Sequence, residues 1–286
     1  MDAKAMIISE IPMAESDEAA VEELFDEAVL ERRKYRYILI GRAIVAILLF
    51  AGWELFTRIG WMDPYYWSSP SAILKTGWIQ LSKGTLLVDV VYTSGSTILG
   101  FISGTLFGSM LGLSFWWSRR YAGISEPYLI VLNAVPKLAL APVLVIMFGI
   151  GFSSKVILAF SMTVISSALS AYSGVKSVDP DMETLLNSLG AKRWQIFAKV
   201  VVPWSMPWIV SSLRVNIALA LAGAIVGEFI SSRHGVGRMI IYAGTILDIN
   251  LVWVGVLVLS VLSIVMYWGV VSLEKWLSKH FSISVA

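Results

Sequence analysis

The chain has 286 residues, 57% of them hydrophobic and only 15% charged, with a mean hydropathy of +0.75. Soluble domains run at about 45–50% apolar and about 25% charged, so a water-soluble globular fold is excluded and an all-α integral membrane protein is expected. The net charge of +2 points to no partner, nucleic acid included, and the absence of cysteine rules out disulfides and thiolate–metal sites.

Residues 1–31 hold ten of the 20 acids. Within them Val21, Leu24, Phe25 and Ala28 fall at i, i+3, i+4 and i+7, just before the basic run Arg32–Arg36. That pattern predicts a helix lying on the bilayer or on a partner, or, for residues 1–18, a solvated tail. We read residues 1–36 as an acidic cytoplasmic arm. It lacks the basic-then-apolar layout of a cleavable signal peptide, so the first span is expected to act as an uncleaved insertion signal. Residues 37–286 read as one membrane domain.

A helix needs about 20 mostly apolar residues to cross ~30 Å of hydrocarbon. Six stretches qualify: Ile38–Phe56, Thr93–Phe115, Pro127–Phe148, Val156–Val175, Ser211–Ile230 and Val252–Leu273. Gly95, Gly100, Gly104, Gly108 and Gly112 recur along the second, a spacing that lets helix backbones approach closely. Lysine and arginine give the orientation. Twelve (Arg32, Arg33, Lys34, Arg36, Arg119, Arg120, Lys176, Lys192, Arg193, Lys199, Lys275, Lys279) collect on one side, against six (Arg58, Lys75, Lys83, Lys155, Arg233, Arg238) on the other. Both termini and the loop 176–204 are therefore expected in the cytoplasm. Trp61, Tyr65, Tyr66, Trp67, Trp116 and Trp117 read as border anchors.

The loop between the fourth and fifth spans is charged yet amphipathic. Asp179 can cap a helix that Pro180 begins, with Met182, Leu185, Leu186 and Leu189 on one face and Gly190 as its left-handed terminus. A second short helix is expected to carry Trp194, Phe197, Ala198 and Val201 on one face, with Pro203 ending it.

Here a resemblance enters. Import permeases of the ATP-binding cassette class carry a loop motif running Glu-Ala-Ala, three residues, Gly, nine residues, Ile-x-Leu-Pro. With Gly190 aligned, Val200, Val202 and Pro203 take the closing positions, Thr184, Leu185 and Leu186 stand where Glu-Ala-Ala would, and Glu183 is one place off. The segments 135–151, 213–229 and 234–240 resemble the branch that transports nitrate, sulfonates, taurine and bicarbonate. The resemblance implies the type I importer transmembrane fold in a bacterial inner membrane and an extracytoplasmic solute-binding protein as partner. It implies a second copy of the chain, and separate ATPase subunits holding ATP and Mg. It casts Glu183, Thr184, Leu185, Leu186, Gly190, Ala191 and Pro203 as the ATPase-coupling residues. The cargo it implies is a small anionic solute, with an uncharged heterocycle or vitamin precursor as the alternative.

The chain has no G-x-x-x-x-G-K-[ST] phosphate loop, so ATP hydrolysis is expected of a partner and not of this chain. No catalytic constellation, metal site or resident cofactor is read from the sequence. Within the membrane, Lys137 faces the pathway, bonds the carbonyls of Leu132 and Leu138 freed by Pro136 and Pro142, or snorkels. Glu228 either bonds a neighbouring helix or serves as a gate or cargo contact. Arg214, near the cytoplasmic mouth, is a candidate pathway residue like Lys137 and Glu228, with pairing to the loop or to lipid phosphate as its default reading. A self-sufficient ion-coupled carrier is the rival from another class, but it would be expected to show paired internal repeats, and none is visible.

Overall fold

The computed structural model describes the backbone of residues 15–281 and the side chains of residues 34–279 except Arg36. It divides into two units, Met1–Pro70 and Ser71–Ala286. In the first, α1 (Glu15–Arg58) is a single helix of 44 residues that runs unbroken across position 36. Its segment Tyr37–Arg58 is the expected first span. The side chains of Val21, Leu24, Phe25 and Ala28 and everything before Glu15 lie outside the described residues. A turn then leads into α2 (Pro64–Trp67), whose start is capped by Asp63 accepting the Tyr65 amide at 2.9 Å.

The second unit holds all but the first residue of α3 (Pro70–Ser82), then α4 (Thr85–Ser114), α5 (Arg119–Ala134), α6 (Ala141–Phe148), α7 (Phe152–Lys176), α8 (Pro180–Ser188), α9 (Arg193–Ile196), α10 (Val202–Ile230), α11 (Val236–Thr245) and α12 (Ile249–Phe281). Among the described residues there is no strand. Five helices are long and apolar enough to cross a membrane, and the bent pair α5–α6 makes the sixth.

The bend is local chemistry. Pro136 has no N–H to donate, and a residue before proline is pushed out of the helical region. Val135 accordingly sits extended at φ −60°, ψ 131°, and the two halves of the expected third span meet at 76°. The expectation for Pro203 is corrected. It does not end a separate helix: α9 passes through a π turn, Phe197–Val201, directly into α10, giving one apolar helical run over Arg193–Ile230. Proline stands just after the π turn, whose wider winding accommodates the bond that its missing N–H cannot make.

The bundle is organised on α7, which lies between α4 and α10. Lipid offers apolar side chains nothing to gain by leaving it, so helices hold each other through close backbone packing and interhelical polar contacts. A methyl built on Gly100, Gly104, Gly108 or Gly112 of α4 would overlap Ala159, Thr163, Val164 or Ala168 of α7. On the other side of α7, Gly223 lies against the Ala159 backbone and Gly227 against Leu158. Gly95, grouped with that series by spacing alone, meets only the Phe152 ring at ordinary contact distance. Phe101, Val210, Leu213, Ile217 and Val270 fill the remaining core between α4, α10 and α12.

This packing separates two glycines by consequence. Gly108→Val drives a branched side chain into the Val164 carbonyl, and should cost about 1–3 kcal/mol or more, as overpacking does. Gly123→Ala on α5, where nothing lies within 4 Å of the new methyl, should leave the unfolding midpoint in detergent unchanged or slightly raised.

Candidate functional site

The loop between α7 and α10 is a finished structure among the described residues. The Asp179 carboxylate accepts the Asp181 amide at 2.9 Å and Pro180 begins α8, as the sequence predicts. At the other end the Gly190 amide reaches Asn187 O and the Ala191 amide reaches Leu186 O, each at 3.0 Å, with Gly190 at φ +78°. This pair of bonds is a Schellman motif, which requires a left-handed residue where Gly190 stands. A side chain at that φ would be strained even though the space around it is open.

The remaining predicted loop residues divide by role. The Thr184 hydroxyl donates back to Pro180 O at 2.9 Å. Leu186 is half-buried, whereas Leu185 and Leu189 are 56% and 74% exposed, with Met182 exposed beside them. Most of the expected apolar stripe is therefore uncovered in the single chain. Glu183 faces the other way and accepts the Trp116 indole N–H at 2.8 Å.

Trp116 and Trp117 carry more than a border role. They follow α4 and form the seat on which the loop sits. Trp117 stacks on Trp194 at 6.4 Å between ring centres, and Phe197 lies within 5.7 Å of both loop-seat tryptophans. The Arg193 guanidinium covers Trp116 and Trp117 at 5.2 and 5.6 Å, and its Nη2 donates to Trp117 O at 2.9 Å. Trp204 at the root of α10 donates to Ser177 O at 2.9 Å. The sequence signal was present, a Trp-Trp pair and an Arg-Trp pair at opposite ends of two segments, but nothing in their spacing says that they meet.

The three ionisable groups expected inside the membrane each have different partners. Lys137 opens into a cleft of about 470 Å³ with Asn133, Met162, Ser166, Val215 and Leu219. Its amine reaches Asn133 O at 3.3 Å and Asn133 Oδ1 at 3.2 Å, not the freed carbonyls of Leu132 and Leu138. The Leu138 carbonyl is taken instead by the Ala141 amide of the 3₁₀ turn that follows the break. Arg214 is also corrected: it makes a two-point ion pair with Glu274 of α12, Nε to Oε2 at 2.6 Å and Nη2 to Oε1 at 2.9 Å. The nearly buried Glu274 carboxylate, 4% exposed, needs a cation more than the loop or a lipid does. Glu228 bonds a neighbouring helix, accepting Thr93 Oγ1 at 2.8 Å and the Gly237 amide at 2.8 Å. Among the described residues no group of three or more His, Cys, Asp or Glu side chains is placed to hold a metal ion.

The chain is similar to known proteins in sequence and in fold. Residues 104–279 match the family described as the binding-protein-dependent transport system inner membrane component. The formylaminopyrimidine transport permease protein ThiX of Halalkalibacterium halodurans is 29% identical over 85% of this chain and 96% of its own length. The taurine transport system permease protein TauC of Escherichia coli is 28% identical over 85% of this chain and 90% of its own. In structure, the MetNI methionine ABC transporter in an inward-facing conformation superposes with a TM-score of 0.60 at 14% identity, covering 68% of this chain and 97% of that one.

The Trp116–Glu183 bond should be measurable in the isolated chain. Trp116→Phe removes the indole donor and leaves the ring, so amide exchange across 180–190 is expected to accelerate by roughly tenfold, as for a lost bond to a charged group. Glu183→Gln keeps an acceptor and should fall between that variant and the unaltered protein.

Proposed function

Because this chain belongs to the family of binding-protein-dependent transport system inner membrane components, a multi-pass ABC importer permease of the inner membrane, we propose that α8 and the turn after it dock a separate ATPase. The observation that carries this reading is the uncovered apolar face of Met182, Leu185 and Leu189 on a helix otherwise fully capped and bolted to the bundle. A helix built this rigidly with its greasy side outward has the form of a key for a groove. Glu183, Thr184 and Gly190 act from within, holding the helix shape and its seat, while Met182, Leu185 and Leu189 supply the exposed contact, with the half-buried Leu186 and Ala191 at its edge. Pro203 allows the second limb of the loop to continue into α10, so a push at the loop travels along one rod.

In this scheme the partner ATPase binds ATP and Mg, closes, and draws the loops of two permease copies together. An extracytoplasmic binding protein delivers the solute on the other side. The cargo we favour is a small anion such as a sulfonate, taurine or nitrate, because the cleft beside the break in α5–α6 offers Lys137 with Asn133 and Ser166. A cation with neighbouring hydrogen-bonding groups suits a compact oxyanion. A second reading is favoured by the rest of that lining: Val135, Leu138, Met162, Val215 and Leu219 suit an uncharged heterocycle equally well. The named relatives, one for taurine and one for a formylaminopyrimidine, divide in the same way. Arg214, committed to Glu274, is assigned to helix pairing and not to the pathway.

Two measurements test this. Leu185→Glu, at an exposed position, should abolish co-purification of an ATP-hydrolysing subunit while membrane insertion stays normal. Unchanged co-purification would end the docking assignment. Lys137→Ala should lower uptake of an anionic solute by about tenfold or more, the scale of a lost charge-assisted contact, and should leave a neutral heterocycle unaffected.

A further inference from the structure

At the end of the bundle away from the loop, the chain turns sharply between α10 and α11, and both helix ends there carry orphan backbone groups. A helix leaves its first amides and last carbonyls unpaired, and its ends bear partial positive and negative charge. At depth in a membrane such groups must be satisfied from within the protein.

Three consecutive amides at the start of α11 are each met by a side chain from another helix. The Gly235 amide donates to Asp89 Oδ1 at 2.7 Å, the Val236 amide to Thr93 Oγ1 at 2.9 Å and the Gly237 amide to Glu228 Oε2 at 2.8 Å. The Thr93 hydroxyl then donates to Glu228 Oε1 at 2.8 Å, joining the contacts from α4 and α10 into one network. The opposite charge serves the other helix end: the fully buried Lys155 of α7 donates to Ser231 O, just past the end of α10. Acids sit on amides and a cation sits on a carbonyl, as the helix dipoles require. Gly235 and Gly237 leave no room for anything between backbone and carboxylate, since a methyl on either would overlap the Glu228 side chain.

We infer that Asp89 and Thr93 of α4, Glu228 of α10 and Lys155 of α7 are positioning residues that bind α11 and the end of α10 to the bundle as one body, so that displacement of the loop is delivered to the opposite mouth. The inference rests on the proposed coupling role of the loop. Its structural ground is continuity: one helical run joins Arg193 beside the loop to Glu228 beneath α11. The clamp is what turns a rod ending in a flexible joint into a lever with a fixed blade.

The chain has no native cysteine, so Tyr242→Cys on the exposed side of α11 accepts a single spin label. In the assembled permease–ATPase complex, the label is expected to change its spectrum between the nucleotide-free and nucleotide-trapped states. Thr93→Val, which removes the hydroxyl at nearly constant volume, should loosen the label and abolish that change while ATP hydrolysis continues. Thr93→Ser should restore both. Should Thr93→Val not assemble, Asp89→Ala, which deletes only the Gly235 contact, carries the same comparison. A nucleotide response retained in Thr93→Val overturns the inference, as does a wild-type label that stays still while ATP is hydrolysed. Failure of the wild-type chain to recruit any ATPase would instead strike at the coupling reading, and label mobility without nucleotide would still decide whether the clamp holds α11.

Discussion

The backbone contact of α7 with its two neighbours is the constraint on which the rest of the structure depends. Apolar side chains that already sit in hydrocarbon gain little by touching one another, so association rests on distance and on polar groups without other partners. The glycines of α4 against Ala159, Thr163, Val164 and Ala168, and Gly223 and Gly227 of α10 against Leu158 and Ala159, supply the distance. Asn216, donating to Ser167 Oγ at 2.7 Å, supplies a polar tie across the same seam. Three helices held at that range form a platform stiff enough to carry a loop at one end and a short helix at the other.

Both ends solve the same problem, that of a chain reversing direction where backbone groups run short of partners. At the loop end the solution is local: an aspartate cap, a Schellman turn, and a π turn before Pro203. At the far end it is tertiary, with carboxylates and a hydroxyl from α4 and α10 satisfying the amides of α11. The difference follows from surroundings. A loop bathed in water can leave its sides unpaired, whereas a turn packed among helices has only its neighbours.

The seat of the loop couples these parts. Indole rings at a membrane boundary are commonplace, and their amphipathic shape accounts for that placement. Here the same rings also receive a guanidinium and hand an N–H to Glu183. The outcome is that α8 keeps a fixed orientation with Leu185 and Leu189 turned outward. Rigidity beneath an exposed apolar face lowers the entropy lost when something docks there.

Much was legible in the sequence because it depends on neighbours along the chain. Hydropathy located the spans, since a helix must satisfy its own backbone in lipid. Asp179, Pro180 and Gly190 marked the ends of α8 because caps and left-handed turns are chemistry within a few residues. The break at Val135–Pro136 was half visible: proline announced a disruption, but its angle depends on what α6 packs against. What only the tertiary structure decided is which distant polar groups meet. Nothing in the spacing of Arg214 and Glu274, of Trp116 and Glu183, or of Asp89, Thr93 and Glu228 with residues 235–237 marks them as partners. Pairing across helices depends on rotation and depth, and those follow from how closely the glycine-lined backbones approach, a distance that no one-dimensional pattern contains.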